Sequence, residues 1–148
     1  MSVRVENNNM DKIRIGVLGP ADIAKRRMIP SVMKNTRCEY AGVALATESE
    51  RGGNGDTIPE GSREKGKAFE KDFGGRFFEG YESMLSSDDV DAVYIALPPA
   101  LHHKWAKKAI EHGKHVLLEK PFTTALDDTR ELVREAESRS LALAENFA

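Results

Sequence analysis

One segment of the sequence has the residue types of a phosphate-binding turn. Residues 19–24 read Gly-Pro-Ala-Asp-Ile-Ala and follow a short apolar run. Glycine allows a tight turn, small residues let a phosphate approach the backbone, and a helix that begins there offers unpaired N–H groups. Ala21 stands where the G-x-G-x-x-G/A fingerprint has its middle glycine, and its methyl group would crowd the phosphates. Similar turns occur in folds that bind no nucleotide, so this motif alone leaves both interpretations open.

A second candidate site is Glu119-Lys120-Pro121, which directly follows an apolar run of strand length. In suitable surroundings a lysine at the end of a strand donates a hydrogen bond to a substrate oxygen or takes part in proton transfer. The same residue types fit an ordinary ion pair at a strand terminus. The chemistry of the two side chains, taken alone, favours the ion pair.

A third candidate is the segment around Leu97-Pro98, where paired prolines fix a rigid turn after another apolar run. His102 and His103 follow the turn, and we consider both as contacts to a cofactor or substrate. Neighbouring residues on a helix point in different directions, so a two-histidine metal site is not expected. The sequence predicts no metal site.

The residues near the end of the second apolar run bear on the choice between NAD and NADP. An acidic residue there binds the adenosine ribose hydroxyls, whereas a basic residue suits a 2′-phosphate. Glu48 and Glu50 favour NAD, Arg51 favours NADP, and Thr47 is neutral. Each of them also fits a solvated loop, so the sequence predicts NAD or NADP without choosing.

The elements that must position these residues follow a regular alternation. Apolar runs of strand length alternate with segments of helical period, which is typical of a parallel sheet covered by helices on both faces. The sequence therefore predicts an α/β fold of the doubly wound Rossmann type, with a mostly parallel six-stranded sheet. The predicted strands are Ile13 to Leu18, Tyr40 to Ala46, Arg76 to Phe78, Ala92 to Leu97, His115 to Leu118 and Leu141 to Ala144.

Five helices are predicted between the strands. The first runs from after Gly19 to about Lys34 with an interruption at Pro30, and the others are Ser62 to Phe73, Glu82 to Ser86, Ala100 to His112 and Thr124 to about Arg139. Ser62 is expected to cap its helix, and Thr124 with Asp127 resembles a capping box. Residues 48–61 have few apolar side chains and are predicted to form a loop that does not pack.

Composition excludes several classes of protein. The 148 residues carry 22 basic and 24 acidic side chains, so no charge bias favours nucleic acid or a membrane surface. A single cysteine, Cys38, forms no internal disulfide and suggests a reducing compartment. Residues 1–11 are polar, lack the apolar core of a secretory signal, and are predicted to be a disordered tail. We expect a cytoplasmic protein with one domain over residues 12–148.

Four segments together resemble one known family. They are the segment Ile15 to Ala24, the segment Asp91 to Pro98, the pair Leu101-His102, and the segment His112 to Phe122, which contains Glu-Lys-Pro. In combination they resemble the N-terminal domain of the Gfo/Idh/MocA oxidoreductases over residues 12–148. The resemblance implies an NAD(P)-binding domain of an enzyme that transfers hydride to or from a CH–OH group of a sugar, polyol or related compound.

The resemblance also assigns roles to individual residues. With the turn motifs it gives as cofactor-binding residues Gly19, Pro20, Ala21, Asp22, Ile23, Thr47, Glu48, Leu97, Pro98, His102 and Glu119. It places Lys120 near the reacting carbon and Glu119 beside it, as the catalytic pair. The implied partners are a nicotinamide dinucleotide and, once a second domain is supplied, a small sugar-like substrate.

The chain departs from the family pattern in several places. Ala21 replaces the middle glycine, the Ser-Arg pair found in many NADP-using relatives is absent after the second strand, and residues 52–61 look like an insertion. The family's second α+β domain, which supplies the partner acid or base, is also absent from this sequence. We therefore expect a poor catalyst as an isolated chain, with a non-catalytic NAD(P)-binding or dimerisation module as the alternative.

Overall fold

The strands form one open sheet in which every neighbouring pair is parallel. The computed structural model describes residues 11–147, so the predicted tail lies outside the described residues except for Asp11. The strands are β1 (Ile13–Leu18), β2 (Cys38–Leu45), β3 (Arg76–Glu79), β4 (Ala92–Ile95), β5 (His115–Glu119) and β6 (Leu143–Asn146). Their order is β3-β2-β1-β4-β5-β6, which is the doubly wound Rossmann arrangement. The predicted fold class is confirmed.

Helices cover both faces of this sheet. They are α1 (Ile29–Lys34), α2 (Glu60–Phe73), α3 (Tyr81–Leu85), α4 (His102–Glu111) and α5 (Leu126–Ser138), and a π-helical turn, Ala24–Met28, leads directly into α1. Short 3₁₀ turns cover Ser49–Arg51 and Pro99–Leu101. All five predicted helices are present, with ends displaced by a few residues.

Two apolar cores lie on opposite faces of the sheet, because successive strand residues point to opposite sides. Val17, Val43 and Tyr94 pack with α1 and α2 on one face. The other face packs against α3, α4 and α5 through residues that include Leu18, Ile95, Trp105, Leu118 and Leu132. Burying each such large side chain stabilises the fold by roughly 1.5–3 kcal/mol. The cores fix the strand ends on which the candidate site is built.

Pro30 does not break the first helix as the sequence suggested. It lies in the first turn of α1, where a missing N–H is tolerated. The preceding π-helical turn bonds the Ile29 N–H to the Ala24 carbonyl, five residues back. Such single π turns often occur at functional sites. The continuous helical path keeps Ala24 fully buried in the core on this face of the sheet.

Two predicted helix caps are wrong. α2 begins at Glu60 with Pro59 before it, so Ser62 lies inside the first turn, and its hydroxyl accepts a bond from Arg51. α5 follows Ala125, and the Thr124 side chain makes no capping bond. Extended backbone at Pro59 and Ala125 already turns the chain into each helix, so helix entry does not depend on a side-chain cap.

The segment 48–61 is mostly an exposed loop, as predicted, but one of its residues is anchored in the core. Ile58 is 4% exposed and belongs to the core beside α2. Backbone bonds from Glu48 N–H to the Thr57 carbonyl and from Ser49 N–H to the Gly55 carbonyl close the loop on itself. Ile58, although a lone apolar residue in a polar stretch, was the sequence signal for this packing. Over residues 11–147, no helix combines the length and apolar character needed to cross a bilayer.

Candidate functional site

Three connections meet at the carboxyl edge of the sheet. β1, β4 and β5 are adjacent and parallel, so the turns that follow Leu18, Ile95 and Glu119 leave the same edge side by side. Ligands of open α/β sheets bind at this edge, where the strand order reverses. The three candidate segments from the sequence are therefore brought together.

Gly19 makes the tight turn after β1. Its φ is +93°, a conformation that residues with a side chain rarely adopt, and its N–H donates to the Ala44 carbonyl at 3.0 Å. A Cβ at this position would lie 2.6 Å from Leu97 Cδ2 and 3.2 Å from the Ala96 carbonyl oxygen. Leu97 therefore packs directly on the turn, which is possible only because residue 19 has no side chain. We refer to the turn formed by residues 19–23 as the Gly19 cradle.

Ala21 fits the turn without backbone strain. Among residues 11–147, Ser140 is the only residue other than glycine with positive φ, so Ala21 does not adopt the left-handed conformation that its methyl group would disfavour. Ala24, at the third small position, is fully buried between helix and sheet. Asp22 and Ile23 are exposed in the first helical turn, where backbone N–H groups lack intrahelical partners. The segment Pro20 to Ile23 thus leads into a helical N-terminus, which is a general feature of anion-binding turns.

Glu119 is held in place by two side chains that sequence reasoning missed. Its Oε1 accepts hydrogen bonds from Tyr94 Oη at 2.6 Å and from Asn146 Nδ2 at 2.6 Å. Burial raises the pKa of Glu119, but these two bonds and the Lys120 amide outweigh it, and the net pKa lies below the usual range. Glu119 is therefore a fixed carboxylate at neutral pH.

The register between β5 and β6 identifies Asn146 as a partner of Glu119. Glu119 of β5 lies opposite Asn146 of β6 in the parallel ladder. Tyr94 lies on the neighbouring strand β4, paired with Leu117. The predicted last strand, Leu141 to Ala144, ended two residues before Asn146, so the pairing became visible only with the observed register.

The ion pair that chemistry favoured for Glu119 and Lys120 is not formed. The carboxylate turns inward to Tyr94 and Asn146, while the Lys120 side chain is exposed. In the part of the chain that the structure describes, the Lys120 ammonium group has no carboxylate within 4.0 Å. Lys120 is thus free to contact a ligand in the crevice beside it.

This crevice has a volume of about 480 Å³ and connects the first helix to the ends of β5 and β6. It is lined by Ile23, Arg27, Met28, Ser31, Glu119, Lys120 and Asn146. Its size is within the range of small-molecule sites. We refer to it below as the Lys120 crevice.

His102 is fully buried, so its ring offers no surface to a ligand in this conformation. Nε2 lies 2.8 Å from the Leu97 carbonyl oxygen, and Nδ1 lies 2.8 Å from the Pro121 carbonyl oxygen. The ring therefore links the connection after β4 to the connection after β5. The geometry suits a residue that positions Leu97 and Lys120 more than one that touches the cofactor.

We expect His102→Ala to lower the free energy of unfolding by about 2–4 kcal/mol, because it leaves a cavity and unpaired buried carbonyl groups. His103→Ala is the matched control, since that neighbouring ring is half-buried and bonds the Glu131 side chain instead of two backbone carbonyl groups. It should cost less than about 1 kcal/mol. Urea unfolding of the three proteins measures the difference. Equal losses for the two variants would show that the buried link does not stabilise the edge.

The residues that the sequence suggests for the adenosine end of a cofactor lie after β2. Thr47 is 7% exposed there, and Glu48 is exposed. The Glu50 carboxylate accepts bonds from the backbone N–H groups of Thr47, Tyr81 and Glu82, and thus holds this loop to α3. Glu50 is consequently occupied and does not act as a ribose ligand in this arrangement.

A second cavity, of about 460 Å³, opens beside Thr47. Trp105 lines it, and the Trp105 Nε1 donor is buried without a hydrogen-bond partner among the described residues. The ammonium groups of Lys104 and Lys108 lie 5.2 and 5.7 Å from the centre of the same ring. Four carboxylates, those of Glu50, Asp56, Glu79 and Glu82, line the same cavity, and Lys108 pairs with Glu82 at 3.2 Å. The cavity is therefore not a site for an anionic ligand.

Comparison with known proteins decides the family. A model described as an oxidoreductase family with an NAD-binding Rossmann fold matches residues 13–147. The chain belongs to the Gfo/Idh/MocA family. Within residues 11–147 of this family member, no group of three His, Cys, Asp or Glu side chains is arranged to hold a metal ion.

Several relatives in the Gfo/Idh/MocA family act on sugars. The chain is 44% identical over 135 residues to dTDP-3,4-didehydro-2,6-dideoxy-alpha-D-glucose 3-reductase of Streptomyces violaceoruber, matching 91% of this chain and 35% of that protein. It is 32% identical over 133 residues to D-xylose 1-dehydrogenase (NADP(+)) 2 of Haloferax volcanii, over 89% of this chain and 36% of that protein. The chain therefore spans little more than a third of these relatives.

Solved structures show the same fold. KijD10, a 3-ketoreductase from Actinomadura kijaniata in complex with NADP and TDP-benzene, superposes with a TM-score of 0.79 at 39% identity. The match covers 92% of this chain and 37% of KijD10. This Gfo/Idh/MocA chain is thus an NAD(P)-binding Rossmann domain of the kind found in sugar-modifying oxidoreductases.

Proposed function

We propose that the chain is the NADP(H)-binding domain of an oxidoreductase that transfers hydride at a carbonyl or hydroxyl carbon of a sugar. The observation that carries the proposal is the meeting of the Gly19 cradle and the unpaired Lys120 at one edge of the sheet. The cradle suits the pyrophosphate, and the adjacent Lys120 crevice suits the group that reacts.

Lys120, Glu119 and His102 have different roles in the proposed hydride transfer. The nicotinamide ring supplies or accepts the hydride when it is bound. Lys120 donates a hydrogen bond or a proton to the sugar oxygen, which favours the alcohol as the carbonyl carbon is reduced. Glu119, fixed and ionised, keeps a negative charge beside that ammonium group and holds the end of β5 to β6. His102 holds Leu97 against the turn on the opposite side.

We propose a nucleotide-linked sugar as the substrate class. Four curated relatives, 36–44% identical, are dTDP-sugar 3-reductases, and the KijD10 complex contains TDP-benzene. Activity on such a sugar would draw on parts of the longer relatives that this chain does not span. We propose that residues outside this domain supply the remaining acid or base. The cytoplasmic location stays a prediction from the sequence.

NADP is the proposed form of the cofactor, and Arg51 is the proposed 2′-phosphate residue. Its guanidinium group donates to Ser62 Oγ at 2.8 Å and has no carboxylate within 4.0 Å among the described residues. Of the two competing acids, Glu50 is occupied by three backbone N–H groups, and Glu48 remains exposed. An arginine without a carboxylate partner favours a phosphate over a neutral ribose hydroxyl.

Calorimetric titration with NADPH and with NADH tests this proposal. We expect tighter binding of NADPH, and we expect Arg51→Gln to weaken NADPH about tenfold, the loss of one exposed charge-assisted contact, with little change for NADH. Glu48→Gln is the control for the neighbouring exposed acid and should leave the NADPH preference in place. Tighter binding of NADH by the unaltered chain would contradict the choice of NADP. Absence of binding by either dinucleotide would contradict the function itself.

A further inference from the structure

The Lys120 crevice has more positive charge than a neutral sugar requires. Three consecutive basic residues lie on the π-helical turn, and two of them are paired: Lys25 with Asp72 at 3.5 Å and Arg26 with Asp22 at 3.0 Å. Arg27, the third, lines the crevice and has no carboxylate within 4.0 Å among the described residues. The crevice thus contains a second unpaired cation besides Lys120.

The one carboxylate that lines this crevice does not neutralise these cations by contact. Glu119 directs Oε1 to Tyr94 and Asn146, and its Oε2 accepts the backbone N–H of Lys120 at 3.2 Å. Its hydrogen bonds are therefore made within the wall of the site. The ammonium and guanidinium groups are left facing the open volume.

The helical spacing of residues explains why Arg27 lines the crevice. Ile23, Arg27 and Ser31 are spaced four residues apart, which puts them on one helical face, and all three line the crevice. Arg26 lies on another face and pairs with Asp22 instead. Both adjacent arginines are exposed, but only Arg27 lines the crevice.

We propose that the Lys120 crevice binds its substrate through a phosphate group, and that Arg27 is the residue that binds this phosphate. The inference rests on the proposed function, in which Lys120 contacts the reacting sugar oxygen. A planar guanidinium fork matches phosphate oxygens in a bidentate manner, whereas a sugar hydroxyl presents no such pair of charged acceptors. Arg27 then determines specificity: it selects a sugar carrying a diphosphate over the free sugar.

Two-dimensional NMR titration of the 148-residue chain with thymidine diphosphate tests this assignment. The titration is run with NADPH at saturation, so that the Gly19 turn is filled, and again without NADPH. Saturable shifts are expected in the amide signals of residues 23–31 and 119–120, and none with glucose. The experiment without NADPH keeps this test separate from the cofactor proposal, because Arg27 should bind the diphosphate in either case.

Variants of Arg27 and Arg26 test whether Arg27 binds the diphosphate. Arg27→Gln should weaken thymidine diphosphate about tenfold, and Arg27→Lys should recover part of that loss because the charge returns without the fork. Arg26→Gln removes the same charge one residue away and should change the affinity less than about twofold. Equal effects of Arg26→Gln and Arg27→Gln would overturn the proposal. So would the absence of saturable binding, or shifts confined to residues 19–22, which would place the diphosphate on the cofactor turn.

Discussion

Gly19→Ala should weaken NADPH binding at least about a hundredfold, a loss of roughly 2.7 kcal/mol. The added Cβ would lie 2.6 Å from Leu97 Cδ2 and 3.2 Å from the Ala96 carbonyl oxygen, so the turn or Leu97 must move. The backbone at Gly19, with φ of +93°, also becomes strained by roughly 1–2 kcal/mol when a side chain is present. Calorimetric titration with NADPH measures the loss.

Gly113→Ala provides a control for backbone strain away from the proposed site, since Gly113 precedes β5 at the opposite edge of the sheet. Gly113 also has a positive φ, +72°, but a Cβ there would meet no atom within 4 Å. This variant should lose about 1 kcal/mol of folding stability through strain while keeping its NADPH affinity. If both variants lost NADPH affinity equally, strain and not the cradle at Gly19 would be responsible, and the binding turn would be misassigned.

Lys120→Met should slow hydride transfer at least about a hundredfold, because positioned proton transfer typically contributes 10²–10⁴ to the rate. Methionine keeps most of the length of the side chain and removes the charge. NADPH affinity should change less than about twofold, since Lys120 lies beyond the turn that holds the dinucleotide. The assay follows oxidation of NADPH by a nucleotide-linked keto sugar, in the longest form of the protein that carries this domain.

Lys34→Met is the control for the loss of one positive charge. Lys34 is exposed at the end of α1 and does not line the crevice, so its removal should leave the rate unchanged. A Lys120→Met protein with nearly the original rate would remove Lys120 from the chemistry. A proportional loss of NADPH affinity and rate would instead make it a cofactor ligand.

Local patterns in the sequence predicted the fold because the central parallel strands are built on apolar runs. β1 matches its predicted bounds, and the last helix differs mainly at its start. β6 was displaced by two residues, because Leu141 and Ala142 are apolar but belong to the turn. Leu141 N–H bonds back to the Ala136 carbonyl, and Ala142 N–H bonds to His115 Nδ1. The first bond closes the end of α5 locally, and the second is a tertiary bond that no local pattern contains.

The candidate site was predictable in its location but not in its internal contacts. Gly19 and Lys120 follow strands, so their positions at the carboxyl edge could be inferred from the topology. The burial of His102 between two carbonyl groups could not, because it depends on how the connections after β4 and β5 approach each other. The same holds for Arg27, whose neighbour Arg26 is identical in chemistry and differs only in the face of the helix that it occupies.

The hydrogen bonds between the Glu50 carboxylate and α3 are a further contact that could not be predicted from the sequence. An acid near the end of β2 suggests a ribose ligand, yet three backbone N–H groups from two separate segments bind this carboxylate. One of those segments begins 31 residues along the chain at Tyr81. Only the folded structure shows that the Glu50 carboxylate is already hydrogen-bonded to the backbone. Glu50 is therefore not available to bind a ribose hydroxyl, which supports NADP over NAD as the proposed cofactor.

A crystal structure of the chain with NADPH is the most direct test of the central claim. We predict the pyrophosphate over the Gly19 turn and the first helical N–H groups, the 2′-phosphate at Arg51, and the nicotinamide ring beside Leu97 with its reactive face toward Lys120. A dinucleotide bound elsewhere, or one whose nicotinamide points away from the Lys120 crevice, would contradict the account.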